Sequence, residues 1–247
     1  MRGIALVREP GPRLSEGIVT HLERRAVDHG RALEQHAAYV RALSEAGWEP
    51  VRVPRADDLP DAVFVEDTVV VCGGLAILAR PGAPRRRPEV AAVARLVRDR
   101  GLRAVTVEAP GTLDGGDVLQ VGATVYAGRS ARTNDEGIAQ LARHLPDRRV
   151  VPVELRGVLH LKSAVTALPD GTLIGDPSLV DLPDLLAPPE EAGSHVVVLD
   201  EDTVLMAASA PHTADMLRNR GLTVLSVDIS EFEKLEGCVT CLSVLIR

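Results

Sequence analysis

The chain has 247 residues, 45% of them hydrophobic and 26% charged, and its 35 acidic residues against 28 basic ones leave a formal charge of −7 at pH 7. With no basic run beyond Arg85-Arg86-Arg87 and with two Phe, two Tyr and one Trp, it lacks the basic patches and stacking aromatics that a nucleic-acid partner requires. No apolar stretch reaches membrane-spanning length, MRGIALVREPGPR does not read as a signal peptide, and three cysteines make no disulfide framework, so a cytoplasmic protein without nucleic-acid or membrane partners is expected.

One pattern recurs along the chain: a short apolar strand, a polar loop, a stretch of helical period and a second strand. The first copy runs from GIALVREPGPR through RALEQHAAYVRALSEAG to WEPVRVP. LAILARPGAP, PEVAAVARLVRDRG and LRAVTVEAP make the second, and ATVYAGRSART, EGIAQLARHL and RRVVPVEL the third. The fourth is weak, passing from GTLIGDPSLV through PDLLAP towards residue 195, and the fifth joins DTVLMAASAP, TADMLRNRG and LTVLSVDI. Gly47, Gly101 and Gly221 stand where three of the helices need a left-handed cap. A plain alternating sheet of the dinucleotide-binding type shares this alternation, but no G-x-G-x-x-G occurs at any strand-to-helix turn.

Each unit has an additional extended segment: DAVFVEDTVVV, TLDGGDVLQV, HLKSAVTAL, SHVVVLDED and CVTCLSVLI. Four of the five place an acid, a histidine or a cysteine at the entrance of an apolar strand. If the units surround a pseudo-fivefold axis, these strand ends converge. Charges buried there would be costly unless they pair with one another or with a ligand. A single concave site lined by Glu66, Asp67, Asp114, Asp117, His160 and Cys241 is the expectation. Taken alone, Asp114-Gly-Gly-Asp117 is more simply a tight turn. Glu66 and Asp67 read as strand residues, at least one of them facing inward. His160 gains weight only from the constellation, and Arg86 and Arg132 fall in polar loops, where most arginines are merely solvated.

The closing EGCVTCLSVLIR holds a Cys-x-x-Cys. A redox pair would stand at the start of a helix, whereas LSVLIR is strand-like. A zinc site would need a second pair of ligands at finger spacing, which Cys72 and seven scattered histidines do not supply. One reactive thiol with a histidine distant in sequence remains, the arrangement of cysteine-nucleophile enzymes.

DAVFVEDTVVV, RPGAPRRRPEV, LDGGDVL, SARTNDEG, HLKS and TCLSVLI, in this order, resemble the dimethylarginine dimethylaminohydrolase family of the guanidine-modifying (pentein) superfamily. The resemblance runs from end to end. It implies one α/β catalytic domain over residues 1–247, a five-bladed propeller of ββαβ units, hydrolysing methylated L-arginines to L-citrulline and an amine without cofactor or metal. By position, Cys241 corresponds to the nucleophile, His160 to the general acid and base, and Asp114 to an acid that holds the guanidinium. Asp67 is a second guanidinium contact, with Glu66 and Asp61 along the same wall. Arg86 and Arg132 match residues gripping the amino-acid portion, Ile18 lies on a lid loop, and Leu235 is a further substrate contact. Glu236 stands where the family often has Asp. Cys238 has no nucleophilic counterpart and reads as a packing residue that could pair with Cys241 on oxidation. An arginine deiminase-like enzyme and a thiol–disulfide oxidoreductase are the alternatives. The partner implied is a small cationic amino acid, and an exposed strand edge could support a homodimer.

Overall fold

The computed structural model describes residues 2–247. β1 (Ile4–Val7) leads into α1 (His29–Glu45), which returns the chain as β2 (Glu49–Arg52), parallel to β1. α1 forms because Ala32, Gln35, His36, Tyr39 and Leu43 recur at three- and four-residue intervals and so share one buried face. Asp28 caps it by accepting the Arg31 backbone N–H.

The second unit pairs β3 (Val69–Cys72) with β4 (Leu75–Leu78) as a hairpin, and α2 (Val90–Asp99) carries the chain to β5 (Arg103–Thr106), parallel to β4. The third repeats it with β6 (Val118–Val121), β7 (Thr124–Arg129), α3 (Asp135–His144) and β8 (Arg149–Glu154). The fourth keeps only the hairpin of β9 (Val165–Ala167) and β10 (Leu173–Gly175), with a single bridge from Ile174 to Leu186 in place of a helix and third strand. The weak fourth repeat in the sequence is this loss. The fifth is complete: β11 (Val196–Val198), β12 (Thr203–Ala207), α4 (Pro211–Asn219) and β13 (Thr223–Val227).

After a short α5 (Ser230–Glu233), β14 (Val244–Ile246) runs antiparallel to β1, with Ile4 opposite Ile246. The last strand thereby supplies the member that the N-terminal unit lacks, and the five sheets make a closed set of ββαβ blades, one of them truncated. Gly47, Gly101 and Gly221 have φ of 89°, 81° and 90°, the left-handed cap expected of them. Apolar clusters fill the spaces between neighbouring blades. One of them joins Tyr39, Trp48, Phe64 and Phe232 to Cys238, Cys241 and Leu242. No helix among the described residues is long and apolar enough to cross a membrane.

Candidate active site

Five short 3-10 turns introduce the first strands of the blades: Val65–Thr68, Gly115–Asp117, Leu161–Ser163, Glu191–Ser194 and Val239–Leu242. The first packs against the second and the fifth, and the second against the third. The polar residues expected at strand entrances therefore sit in tight turns, or one residue before them. Glu66 and Asp67 are corrected in this respect: both belong to the turn before β3 and both are buried. Successive side chains of such a turn diverge by about 120°, so two adjacent acids can leave solvent in different directions.

Asp67 faces His160, with Oδ1 3.9 Å from Nδ1, and Asp114 stands on the other side, its Oδ2 3.1 Å from Nε2. Burial alone would favour the neutral imidazole. The charges of Asp67 and Asp117 and the bond to Asp114 outweigh it, lifting the His160 pKa to about 9. The Asp67 carboxyl, which burial would raise, is held below the usual carboxylate range by His160, by Arg86 and by the Gly116 N–H, which donates to Oδ1 at 2.9 Å. Asp117 supports the arrangement from behind. It accepts the Leu161 N–H at 2.9 Å and the Ser130 hydroxyl at 2.6 Å, fixing the turn that presents His160.

The arginines are not solvated loop residues, as their surroundings in sequence suggest; both are buried. Arg86 Nη1 donates to Asp67 Oδ2 at 2.5 Å, and Nη2 donates to Glu89 Oε2 at 2.8 Å. Arg132 Nη1 lies 3.6 Å from Asp114 Oδ2 and has no hydrogen-bond partner among the described residues. The nucleophile candidate Cys241 sits in the turn before β14. Tyr39 anchors that turn, its hydroxyl contacting the Val239 carbonyl and the Ser243 hydroxyl at 2.8 Å each.

Ile18, Asp61, Asp67, Arg86, Arg132, His160, Leu235 and Cys241 line one cavity of about 20 Å³. Asp114 stands behind His160, outside that lining. Glu66 departs from expectation: its side chain turns away from this wall, pairs with Lys162 at 2.6 Å and accepts the Thr240 hydroxyl at 3.0 Å. It lines a separate cavity of about 400 Å³ that shares no lining residue with the first. The volume of about 20 Å³ holds little more than one water, less than an amino acid needs. Ile18, on the segment read from the sequence as a lid, is part of its lining. Ile18 N–H donates to Asp61 Oδ1 at 2.8 Å, and Thr20, His21 and Leu22 all direct their N–H groups at Glu236 Oε1. Glu236 holds this position with φ of 60°, a conformation costly for a residue with a side chain. The lid latch could not be read from the sequence, because donors and acceptor are more than 200 residues apart.

Asp67, Asp114 and His160 offer ligand atoms within 4.8 Å of one another, a spacing suited to a cation. The charges of Arg86 and Arg132 on the same carboxylates disfavour a compact dication there and leave a diffuse organic cation as the better fit.

A family model described as arginine deiminase matches residues 33–185. A Streptomyces coelicolor dimethylarginine dimethylaminohydrolase is 57% identical over 249 aligned residues, covering 98% of this chain and 96% of the relative. The chain belongs to the dimethylarginine dimethylaminohydrolase family. The Pseudomonas aeruginosa member is 36% identical across 96% of this chain and 97% of its own length. A dimethylarginine dimethylaminohydrolase solved as an adduct with S-methyl-L-thiocitrulline superposes over the whole of both chains with a TM-score of 0.93 at 32% identity. That agreement extends the pentein fold to every blade, the truncated fourth included. The N-terminal domain of ArgZ, at 21% identity and a TM-score of 0.86 over 99% of this chain and 98% of its own, shares the fold.

Proposed function

We propose that this chain hydrolyses asymmetric dimethylarginine and monomethylarginine to L-citrulline and dimethylamine or methylamine, through a covalent intermediate on Cys241. The observation that carries this reading is the convergence in one small cavity of a thiol, an imidazole bracketed by carboxylates and two buried arginines.

The guanidinium of the substrate is planar and cationic, so Asp67 in the cavity wall supplies the charge it seeks, and Asp114 adds to it from behind His160. Arg132, whose Nη1 has no hydrogen-bond partner among the described residues, is suited to the substrate carboxylate, whereas Arg86, already bonded to Asp67 and Glu89, holds the wall of the cavity in place. In the free enzyme the contact with Cys238, burial and the charges of Glu66 and Asp67 push the Cys241 thiol up. Binding a cation offsets those charges, so the substrate itself favours the thiolate. Cys241 then attacks the guanidino carbon. His160, protonated at neutral pH, gives its proton to the departing amine and leaves a thiouronium on sulfur. Neutral His160 next takes a proton from water, which attacks the same carbon and releases citrulline. Closing the lid keeps bulk water from the charged intermediate. The three free thiols suit a reducing, cytoplasmic compartment for this chemistry.

The test is citrulline formation with asymmetric dimethylarginine, monomethylarginine and arginine offered separately. Turnover of the methylated substrates is expected. Citrulline chiefly from arginine would reassign the chain to deimination.

A further inference from the structure

Cys238 is buried, precedes Cys241 by three residues and takes no part in the proposed hydrolysis. Its sulfur lies 3.3 Å from the Cys241 sulfur and 3.2 Å from the Thr240 hydroxyl. The backbone enforces the first contact. Cys241 N–H donates to the Cys238 carbonyl at 3.1 Å, and a turn closed in this way keeps its end Cα atoms within about 7 Å. Disulfides span roughly 4.4–6.8 Å between Cα atoms and about 2.05 Å between sulfurs, so side-chain rotation can close this pair without displacing a strand.

Access to the two thiols is unequal. Cys241 is 9% exposed and lines the substrate cavity, whereas Cys238 is 4% exposed and lines no part of it. Contact with Cys241 draws the Cys238 thiol well below its ordinary range. With the sulfurs 3.3 Å apart a proton can pass from Cys241 to Cys238, which leaves the thiolate on the sulfur that faces the cavity.

We propose that Cys238 is a resolving thiol: a peroxide entering the substrate cavity oxidises Cys241, and Cys238 closes upon it as a disulfide that silences the enzyme reversibly. The silencing rests on Cys241 being the nucleophile. In the first step Cys241 thiolate attacks one peroxide oxygen; the S–O bond forms, the O–O bond breaks and hydroxide leaves, giving a sulfenic acid. In the second step the Cys238 sulfur attacks the sulfenic sulfur; the S–S bond forms, the S–O bond breaks, and the hydroxyl departs as water with the proton of the Cys238 thiol. Two thiols are oxidised by two electrons, and the peroxide is reduced to water. Without capture, a sulfenic acid proceeds to sulfinic acid, which thiols do not reverse. The Cys-x-x-Cys then protects a nucleophile, and no oxidoreductase activity towards other proteins is needed to account for it.

The experiment treats the reduced enzyme with hydrogen peroxide in the absence of substrate. It reads peptide masses under non-reducing conditions, and citrulline formation before and after dithiothreitol. A cross-link between residues 238 and 241, loss of activity and its recovery by dithiothreitol are expected. Cys238→Ser, active before oxidation, should give no cross-link and should lose activity that dithiothreitol fails to restore. Activity lost without the cross-link in the wild type, or equal recovery in wild type and Cys238→Ser, overturns the inference. Unoxidised Cys241→Ser reads the nucleophile independently: turnover there would remove the catalytic reading, while the cross-link in the wild type stays measurable.

Discussion

The charge balance around His160 sets the protonation on which the proposed chemistry depends. Three buried acids outweigh desolvation and carry the imidazole to a pKa of about 9, against an ordinary value of 6.5. Because the folded value is the higher one, the protonated ring stabilises the fold. That contribution is fully present below about pH 6.5 and is lost as pH rises through about 9. Urea unfolding of the wild type should weaken across this window by on the order of a few kcal/mol, and His160→Asn should lack that part of the slope. Parallel profiles for the two proteins would contradict the assignment. His160 could be singled out in the sequence because acids and a cysteine stand at equivalent points of other repeats. Arg86 and Arg132 could be named only through the family resemblance, since polar neighbours such as Arg85 and Asn134 give no sign that these two side chains turn inward to carboxylates 19 and 18 positions away.

At the scale of elements, the proposed catalytic groups are carried by 3-10 turns packed so closely that side chains are excluded from part of the contact. A Cβ on Gly116 would come within 2.7 Å of Asp67 Oδ1 and 2.8 Å of His160 Nδ1. Gly116→Ala is expected to cost roughly 1–3 kcal/mol, as overpacking does, and to depress kcat further than the stability loss explains by parting Asp67 from His160. Unchanged kcat would show that this spacing does not matter. The sequence allowed Asp114-Gly-Gly-Asp117 to be read as a turn or as a site; the structure shows the turn, with Asp114 buried against His160. The lid is the second case. Removing its acceptor with Glu236→Ala forfeits bonds to a charged group worth about 1.5–3 kcal/mol. The expected outcome is faster amide exchange at residues 20–22 and a KM raised roughly tenfold with little change in kcat. Unaltered exchange would mean that the lid is held elsewhere. The segment proposed as a lid stands out by the Gly and Pro of REPGPRLSEGI, whereas the bonds that hold it depend on the left-handed Glu236 and on contacts across the whole chain.

Over the whole molecule, one strand pairing closes the ring and also positions the proposed nucleophile. β14 pairs with β1 directly after the turn bearing Cys241, so the chain end and the reacting group share a support. Truncation after Ser243 would leave β1 without its antiparallel neighbour and expose the core around Val244 and Ile246. Loss of a single cooperative thermal transition is expected. A truncated protein melting as the wild type does would show that closure contributes little. The ββαβ repeat was legible from end to end because helical and strand periods alternate in sequence, and the fourth unit's missing helix was visible as missing periodicity. The inward or outward choice of Glu66 was not. It is set by Lys162 and Thr240 from two other blades.

The most direct test of a covalent route through Cys241 is the mass of the protein after reaction of His160→Gly with S-methyl-L-thiocitrulline. Its thiolate leaving group departs without a proton from the imidazole, while the hydrolytic step is deprived of its base. An adduct that accumulates and maps to Cys241 is expected; an adduct on Cys238, or no adduct beside slow citrulline release, would rule that route out.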